Sequence, residues 1–270
     1  MTAVDETAQA YLNAVQAACD SGPLSMVFPA YHLALQAAGQ QTVSRDNAVQ
    51  LLAHHAITRP LHTALFVRPY PFVAQTGITR IMAPILRMID TVIDVDLSPL
   101  QPLYRRAVDR AAAVTSHADR QPVICELYET FYRTALPRAA DMLGIVYTPV
   151  EVVDFIIRST EQGLQDHHGR SLAAEDVQIV DPFVGTGIFF VRLLQSSQLI
   201  PDAVLPRVYR DQMHGHEIVP LSWHIARTNI EIAYAERAHR YLPCHGLVLT
   251  DTFAADLPCC LPAEQDGARP

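Results

Sequence analysis

Asp181-Pro182-Phe183-Val184-Gly185-Thr186-Gly187 lies between the apolar run VQIV (Val177 to Val180) and the stretch IFFVRLLQ that starts at Ile188. A short apolar run, a turn with two glycines and an apolar stretch of helical character predict strand, loop and helix in that order. The same alternation continues downstream. A run QMHGHE ends at Glu217, a long helical pattern runs from Leu221 to about Glu236, and a second apolar run LVLT spans Leu247 to Thr250. Strand, helix, strand, helix, strand predicts a parallel sheet with right-handed crossovers.

In an open parallel sheet, ligands bind at the carboxyl ends of the strands, and the acids of this sequence fall there. Asp181 ends the first run, Glu217 the second, and Asp251 follows the third. Gly185 and Gly187 allow a tight turn that approaches a ligand without Cβ obstruction. A carboxylate at the first tip suits a ligand bearing an amine or sulfonium. A pyrophosphate turn would gain nothing from that charge and would need a third glycine where Phe190 stands. Glu217, with two acceptor oxygens, suits a pair of ribose hydroxyls. It lies 36 positions after Asp181, further than the roughly 20 of a dinucleotide unit, so an insertion around Ser197 to Tyr209 is expected. Upstream, Thr148-Pro149-Val150-Glu151 reads as a helix start, with a capping threonine, proline in the first helical position and a glutamate after it.

Residues 1–144 read differently. Apolar side chains recur at helical spacing at Ala8, Tyr11, Leu12, Val15 and Ala18, at Val49, Leu52, Ala53 and Ala56, and at Ile124, Leu127, Tyr128, Phe131 and Ala135. Pro60, Pro69, Pro71, Pro84, Pro99, Pro122 and Pro137 are expected to break this half into short segments. The expectation is an α/β chain with a helical lobe over 1–144 and, over 145–270, the first half of a Rossmann-like domain with about three parallel strands.

Composition narrows the classes of function. Half of the 270 residues are hydrophobic and 18% are charged, below the usual figure of about 25%, which excludes a disordered acidic chain. The formal charge of −8 lacks the footprint of an autonomous nucleic-acid binder. No apolar run reaches the roughly 18 residues of a membrane span, and the start MTAVDETAQAYLNAV lacks signal-peptide character. A cytoplasmic location is expected. Cys19, Cys125, Cys244, Cys259 and Cys260 read as reduced thiols.

Read together, YTPVEVVDFI, DPFVGTGIF, HGHEIVPLSWHIARTNIE and GLVLTDTF resemble the adenine-specific DNA methyltransferases that use S-adenosylmethionine. The resemblance implies that Tyr147, Thr148 and Pro149, with Asp181, Phe183, Gly185, Thr186 and Gly187, hold the methionine part of the cofactor. It further implies that Glu217, with Ile218 beside it, meets the ribose and Asp251 the adenine. The helical half, through DNAVQLLAHHAITRPLHTALF and ICELYETFYRTALPRAADMLGIVYTP, is similar to the segment preceding the methylase in single-chain type ISP restriction-modification enzymes. Those join nuclease, helicase, coupler, methylase and target-recognition parts. The implied partners are DNA, within such a full enzyme, and those other parts.

The family's Asn-Pro-Pro-Tyr motif, or its Asp variant, is absent, since the sequence holds no Pro-Pro pair; the 19 residues after Asp251 show no strand-like run. No catalytic residue is therefore assigned. The expectation is a methyltransferase fragment, inactive alone, whose first strand has an open edge where the family's fourth strand would pair. An alternative is a helical coupler with a vestigial cofactor site. A small-molecule methyltransferase is disfavoured, because it too needs the second half of its sheet. No metal site is expected: neither His214, His216 and Glu217 nor Cys244-His245 with Cys259-Cys260 has a familiar ligand spacing. Trp223 to Tyr234 reads as core, and His54-His55 and His167-His168 as polar surface or loop positions.

Overall fold

A computed structural model describes residues 2–39, 43–137, 140 and 148–253. The amino-terminal lobe is helical: α1 (Ala3–Asp20), α2 (Phe28–Gly39), α3 (Arg45–His62), α4 (Gly77–Val92), α5 (Gln101–Ala112) and α6 (His117–Ala135). Serine or threonine side chains start three of them. Thr2, Ser44 and Ser116 accept hydrogen bonds from the amides of Asp5, Asn47 and Asp119, satisfying donors that the first turn leaves unpaired. The three apolar sets expected for this lobe lie on α1, α3 and α6, with Val15, Val49, Leu52, Ile124, Tyr128 and Phe131 fully buried.

The prolines interrupt less than expected. Pro60, Pro84 and Pro122 lie inside α3, α4 and α6. Pro84 and Pro122 face solvent, where a carbonyl released from the helical ladder can be hydrated. Pro60 stands near the end of α3, and a wide π turn at Thr63–Val67 follows it. His54 and His55 also depart from expectation, because both are buried. Helix α3 packs against α1, α4 and α5 and so has little solvent face on which to place them. His167 and His168 are exposed in the last turn of α7 (Val150–His168).

The sheet has three parallel strands, β1 (Ile179–Asp181), β2 (Met213–Glu217) and β3 (Leu247–Leu249), in spatial order β1-β2-β3. Asp181 pairs with Gly215, and Glu217 with Leu249. Among the described residues β1 pairs on one side only, and Val180 is 49% exposed. The insertion is a helical turn at Leu205–Arg207 and a π turn at Val208–Gln212. Helix α8 (Ile188–Gln195) links β1 to this insertion.

Helix α9 (Pro220–Ala238) is buried on every side from Pro220 to Tyr234, with Trp223 and Tyr234 fully enclosed. It packs against α3 of the lobe on one side and against α8 and β3 on the other. An all-round buried helix of this kind belongs to the interior of a fold, and here it is the wall that lobe and sheet share.

Candidate cofactor site

Backbone geometry builds the loop after β1. Gly185 and Gly187 have φ of 59° and 81°, in the left-handed region that glycine enters without steric cost. A Cβ on Gly187 would stand 3.0 Å from Ile230 Cδ1 and 3.2 Å from the Ala226 Cα, both on α9. The Val184 amide donates to the His216 carbonyl at 3.0 Å, and the Gly187 amide to Val184 at 2.9 Å. The loop thereby continues the edge of β2 before turning into α8.

The expected acids take distinct roles around it. Asp181 Oδ1 accepts from the Phe183 amide at 3.0 Å, whereas its Oδ2 is buried without a hydrogen-bond partner. Burial pushes the Asp181 pKa up, with the Phe183 amide opposing. Glu217 is 8% exposed. Its Oε2 accepts from the Gly185 amide at 2.8 Å and its Oε1 from the Val219 amide at 2.7 Å, so it ties the loop to the start of α9. Burial also raises its pKa; the amides of Val219, Gly185 and Ile218 act against that, and the Asp181 charge adds to it. Asp251 is exposed and accepts from the Phe253 amide at 2.9 Å, repeating the turn of Asp181 and Phe183.

The two loops meet above β2. Thr252 Oγ1 donates to the Pro182 carbonyl at 2.6 Å and lies 3.3 Å from His216 Nδ1. The exposed rings of Phe183 and Phe253 have centroids 5.7 Å apart, and Ile218 is half-exposed. The structure thus brings Asp181, Phe183, Gly185, Glu217 and Asp251 to one rim.

Thr148 and Pro149 stand apart: among the described residues no hydrogen bond joins them to this rim, and Tyr147 lies outside the described residues. The expected cap is also displaced. Pro149 is the capping residue, with an extended ψ of 143° and no side-chain cap, which places Thr148 outside the helix start. Helix α7 is nevertheless fastened to α8, since Asp154 accepts two bonds from Arg192, both of 2.7 Å. Beside the open edge of β1, α7 and α8 line a largely apolar cleft of about 280 Å³, open to solvent, that includes Ile156, Phe190, Val180 and Asp181.

Among the described residues, His214, His216 and Glu217 do not converge on one point. His214 bonds Gln178 at 2.7 Å, and Glu217 points to the opposite face of β2 from His214 and His216. Cys19, Cys125 and Cys244 are buried free thiols, while Cys259 and Cys260 lie outside the described residues.

A second layer holds the loop from behind, and no sequence pattern announced it. Asn229, fully buried on α9, donates to the Thr186 carbonyl at 3.0 Å and to Gln121 Oε1 at 2.7 Å. Its Oδ1 receives His117 Nε2 at 2.8 Å and Gln121 Nε2 at 3.0 Å. Cys125 Sγ lies 3.4 Å from the Thr186 hydroxyl. His117, Gln121 and Cys125 all belong to α6, so the helical lobe reaches the glycine loop directly.

Residues 2–119 match the model of the type ISP restriction-modification enzyme coupler domain, and residues 119–258 that of N-6 DNA methylase. Among solved structures, the chain is similar to a nuclease-deletion mutant of the type ISP restriction-modification enzyme LlaGI in complex with a DNA substrate mimic, at 34% identity and a TM-score of 0.65 over 93% of this chain. It is similar to the ATP-dependent type ISP enzyme LlaBIII bound to DNA, at 35% identity and a TM-score of 0.66 over 92%. A third similar structure is a DrdV–DNA complex, at 29% identity and a TM-score of 0.65 over 92%. The chain spans 20%, 17% and 25% of those three chains. No curated protein matches it. With the methylase model matched over more than half of its length, the chain belongs to the N-6 DNA methylase family and carries a type ISP coupler region ahead of its methylase region.

Proposed function

We propose that this chain is the S-adenosylmethionine-holding part of an adenine-directed DNA methylase within a type ISP restriction-modification enzyme. The observation that carries the reading is Asp181 Oδ2, a buried carboxylate oxygen without a partner at the tip of β1, beside a left-handed glycine loop. Such an atom is costly unless a donor meets it, and the ammonium of the methionine part supplies one. When bound, S-adenosylmethionine contributes an electrophilic methyl group on its sulfonium. The chain's own residues bind and orient. Each oxygen of Glu217 accepts one backbone amide and keeps a lone pair for a ribose hydroxyl. Asp251 offers an exposed acceptor for the adenine amine, with Phe183, Phe253 and Ile218 as apolar walls. Tyr147, Thr148 and Pro149, ahead of α7, are assigned to the methionine side on the family resemblance alone. The sequence has no Asn-Pro-Pro-Tyr segment, so orientation of the target amine falls to residues outside this set. Strands pairing with the open edge of β1 would bring them, and DNA is gripped by the larger enzyme.

Calorimetric titration of the purified chain with S-adenosylmethionine, beside Asp181→Asn, tests the reading. The variant keeps the acceptor for the Phe183 amide and loses the charge. Because burial raises the Asp181 pKa, ionisation there opposes folding; the stability it removes is present below the ordinary carboxylate range and lost as pH rises through the raised value. The variant is therefore at least as stable as the wild type at pH 7, and its affinity falls roughly 10- to 100-fold, as for one charge-assisted hydrogen bond. Equal affinity in the two proteins, or no binding by the wild type, refutes it.

A second reading has one observation in its favour: Glu217 already satisfies two amides of its own chain. If that is its whole role, the chain is a coupler that docks a motor or nuclease. It then binds no cofactor and forms a stable complex with a helicase-type partner.

A further inference from the structure

His55 and His62 lie two turns apart on one side of α3, and His224 on α9 faces them across the junction of lobe and sheet. All three are 1% exposed. Their ring centroids are 4.8 to 5.0 Å apart, and one ligand atom from each can be chosen so that all lie within 4.8 Å of one another. Four of their ring nitrogens have no hydrogen-bond partner: His55 Nδ1, His62 Nε2, and both Nδ1 and Nε2 of His224. A neutral imidazole always presents one donor and one acceptor, and native interiors rarely leave such groups unsatisfied, let alone several in one place.

We infer that His55, His62 and His224 form a structural site for a late first-row transition-metal ion of the zinc class, which fastens α3 to α9. Imidazole nitrogen suits that class, and three histidines with a water in the fourth position are a known tetrahedral zinc donor set. Burial keeps the rings in the neutral form that binds metal: it pulls the His62 pKa down to about 3 and those of His55 and His224 well below their ordinary value. Two guanidinium groups bear on the cluster, Arg59 on His55 and Arg227 on His224. Each already has a carboxylate partner, Asp90 at 2.6 Å and Glu231 at 3.1 Å, so they oppose an added cation less than free charges would. Binding requires the nitrogens to close to the roughly 3.3 Å separation set by metal–nitrogen bonds of about 2.0–2.1 Å. The stacked rings of His62 and His224, now 15° from parallel, must splay to do so. The site is enclosed and lies at the lobe junction, which makes its role one of holding helices together.

The test uses the whole chain, stripped of metal with a chelator and titrated with zinc chloride. One equivalent of zinc is expected to bind and to raise the melting temperature. Cobalt(II) should give the visible bands of a tetrahedral site, and zinc should displace it. His62→Phe is expected to weaken zinc binding by at least about 100-fold. His167→Gln with His168→Gln, on the exposed end of α7, should leave it unchanged. X-ray absorption on the zinc-loaded wild type reads the ligand set even if the variant fails to fold, and three imidazoles are expected. Sub-stoichiometric zinc, fewer than three imidazoles, or wild-type affinity in His62→Phe overturns the site and leaves trapped water to satisfy the rings.

Discussion

Replacing Asn229 by leucine removes the node through which the helical lobe holds the glycine loop after β1. The amide makes four hydrogen bonds: two donated, to Thr186 O and Gln121 Oε1, and two accepted, from His117 Nε2 and Gln121 Nε2. This assignment places the His117 proton on Nε2, with Nδ1 free to accept from Gln195 Nε2 at 3.3 Å. Leucine has nearly the same volume and no polar atom. Gln121 Nε2 keeps its bond to the His117 carbonyl at 3.2 Å, and His117 Nε2, 3.0 Å from the same nitrogen, can accept from it once the imidazole proton moves to Nδ1, so two groups lose their partner inside the protein: Thr186 O and Gln121 Oε1. At roughly 1–3 kcal/mol for each buried unsatisfied group, less roughly 1.5–3 kcal/mol gained from burying the apolar side chain, the expected loss is about 2 kcal/mol. For a chain of this size that corresponds to a melting temperature lower by roughly 4–8 °C. Urea denaturation followed by circular dichroism measures the first figure and calorimetry the second. Hydrogen exchange supplies the local readout, because the Gly187 amide, bonded to Val184, should exchange faster once Thr186 is released. A variant within about 1 kcal/mol of wild type, with unchanged loop exchange, would show that the network does not support the loop.

Two further predictions probe the loop and its neighbour helix. Gly187→Ala places a side chain at φ 81° with its Cβ 3.0 Å from Ile230 Cδ1; the left-handed conformation alone costs roughly 1–2 kcal/mol, and a total near 2 kcal/mol should appear in urea denaturation, with cofactor affinity falling as well. An alanine variant of wild-type stability would mean that the turn is not held as described. Asp154→Asn breaks the paired bonds to Arg192, whose hydrogen bond holds the Asp154 carboxyl below the usual carboxylate range. That stabilisation is present above the unfolded value of about 3.9 and is lost as pH falls through the depressed one. The variant should therefore be less stable by about 1 kcal/mol at pH 7, and the difference should close on acidification below about pH 4; a gap independent of pH would rule the ion pair out as its cause.

The strand tips were legible because their signal is local. A short apolar run followed by a glycine turn or an acid fixes both the element and its carboxyl end, and Asp181, Glu217 and Asp251 fall at the strand tips where that pattern puts them. The central helix was legible in part: Trp223 to Tyr234 read as core, and the whole stretch is buried. What escaped were features set by packing on several sides at once. Periodicity assigns a helix one buried face, so a pair such as His54-His55 reads as polar surface; α3 is enclosed, and both rings are inside. The mid-helix prolines misled for the converse reason, since Pro84 and Pro122 turn outward, where the missing amide matters least. Asn229 lies 108 positions from Gln121 and 43 from Thr186, and no spacing rule reaches across such gaps.

Helix α9 also explains why a coupler region and the glycine loop after β1 are joined so closely. His224 turns toward His55 and His62 on α3. Arg227 pairs with Glu231 and donates to the Ala38 carbonyl at the end of α2. Asn229 faces α6 and the glycine loop, and Glu231 accepts from the Cys244 amide and the Tyr241 hydroxyl ahead of β3. These contacts are buried or part-buried, so separating the lobe from the sheet would break several at once. A rigid-body shift of the lobe must either break them or carry Thr186 with it, and Thr186 lies between the two left-handed glycines that shape the rim. Any force that reaches α3 or α6 thus acts on the geometry at Asp181 and Glu217. By the reciprocity of coupled equilibria, a ligand that orders the rim must stiffen the lobe by the same free energy.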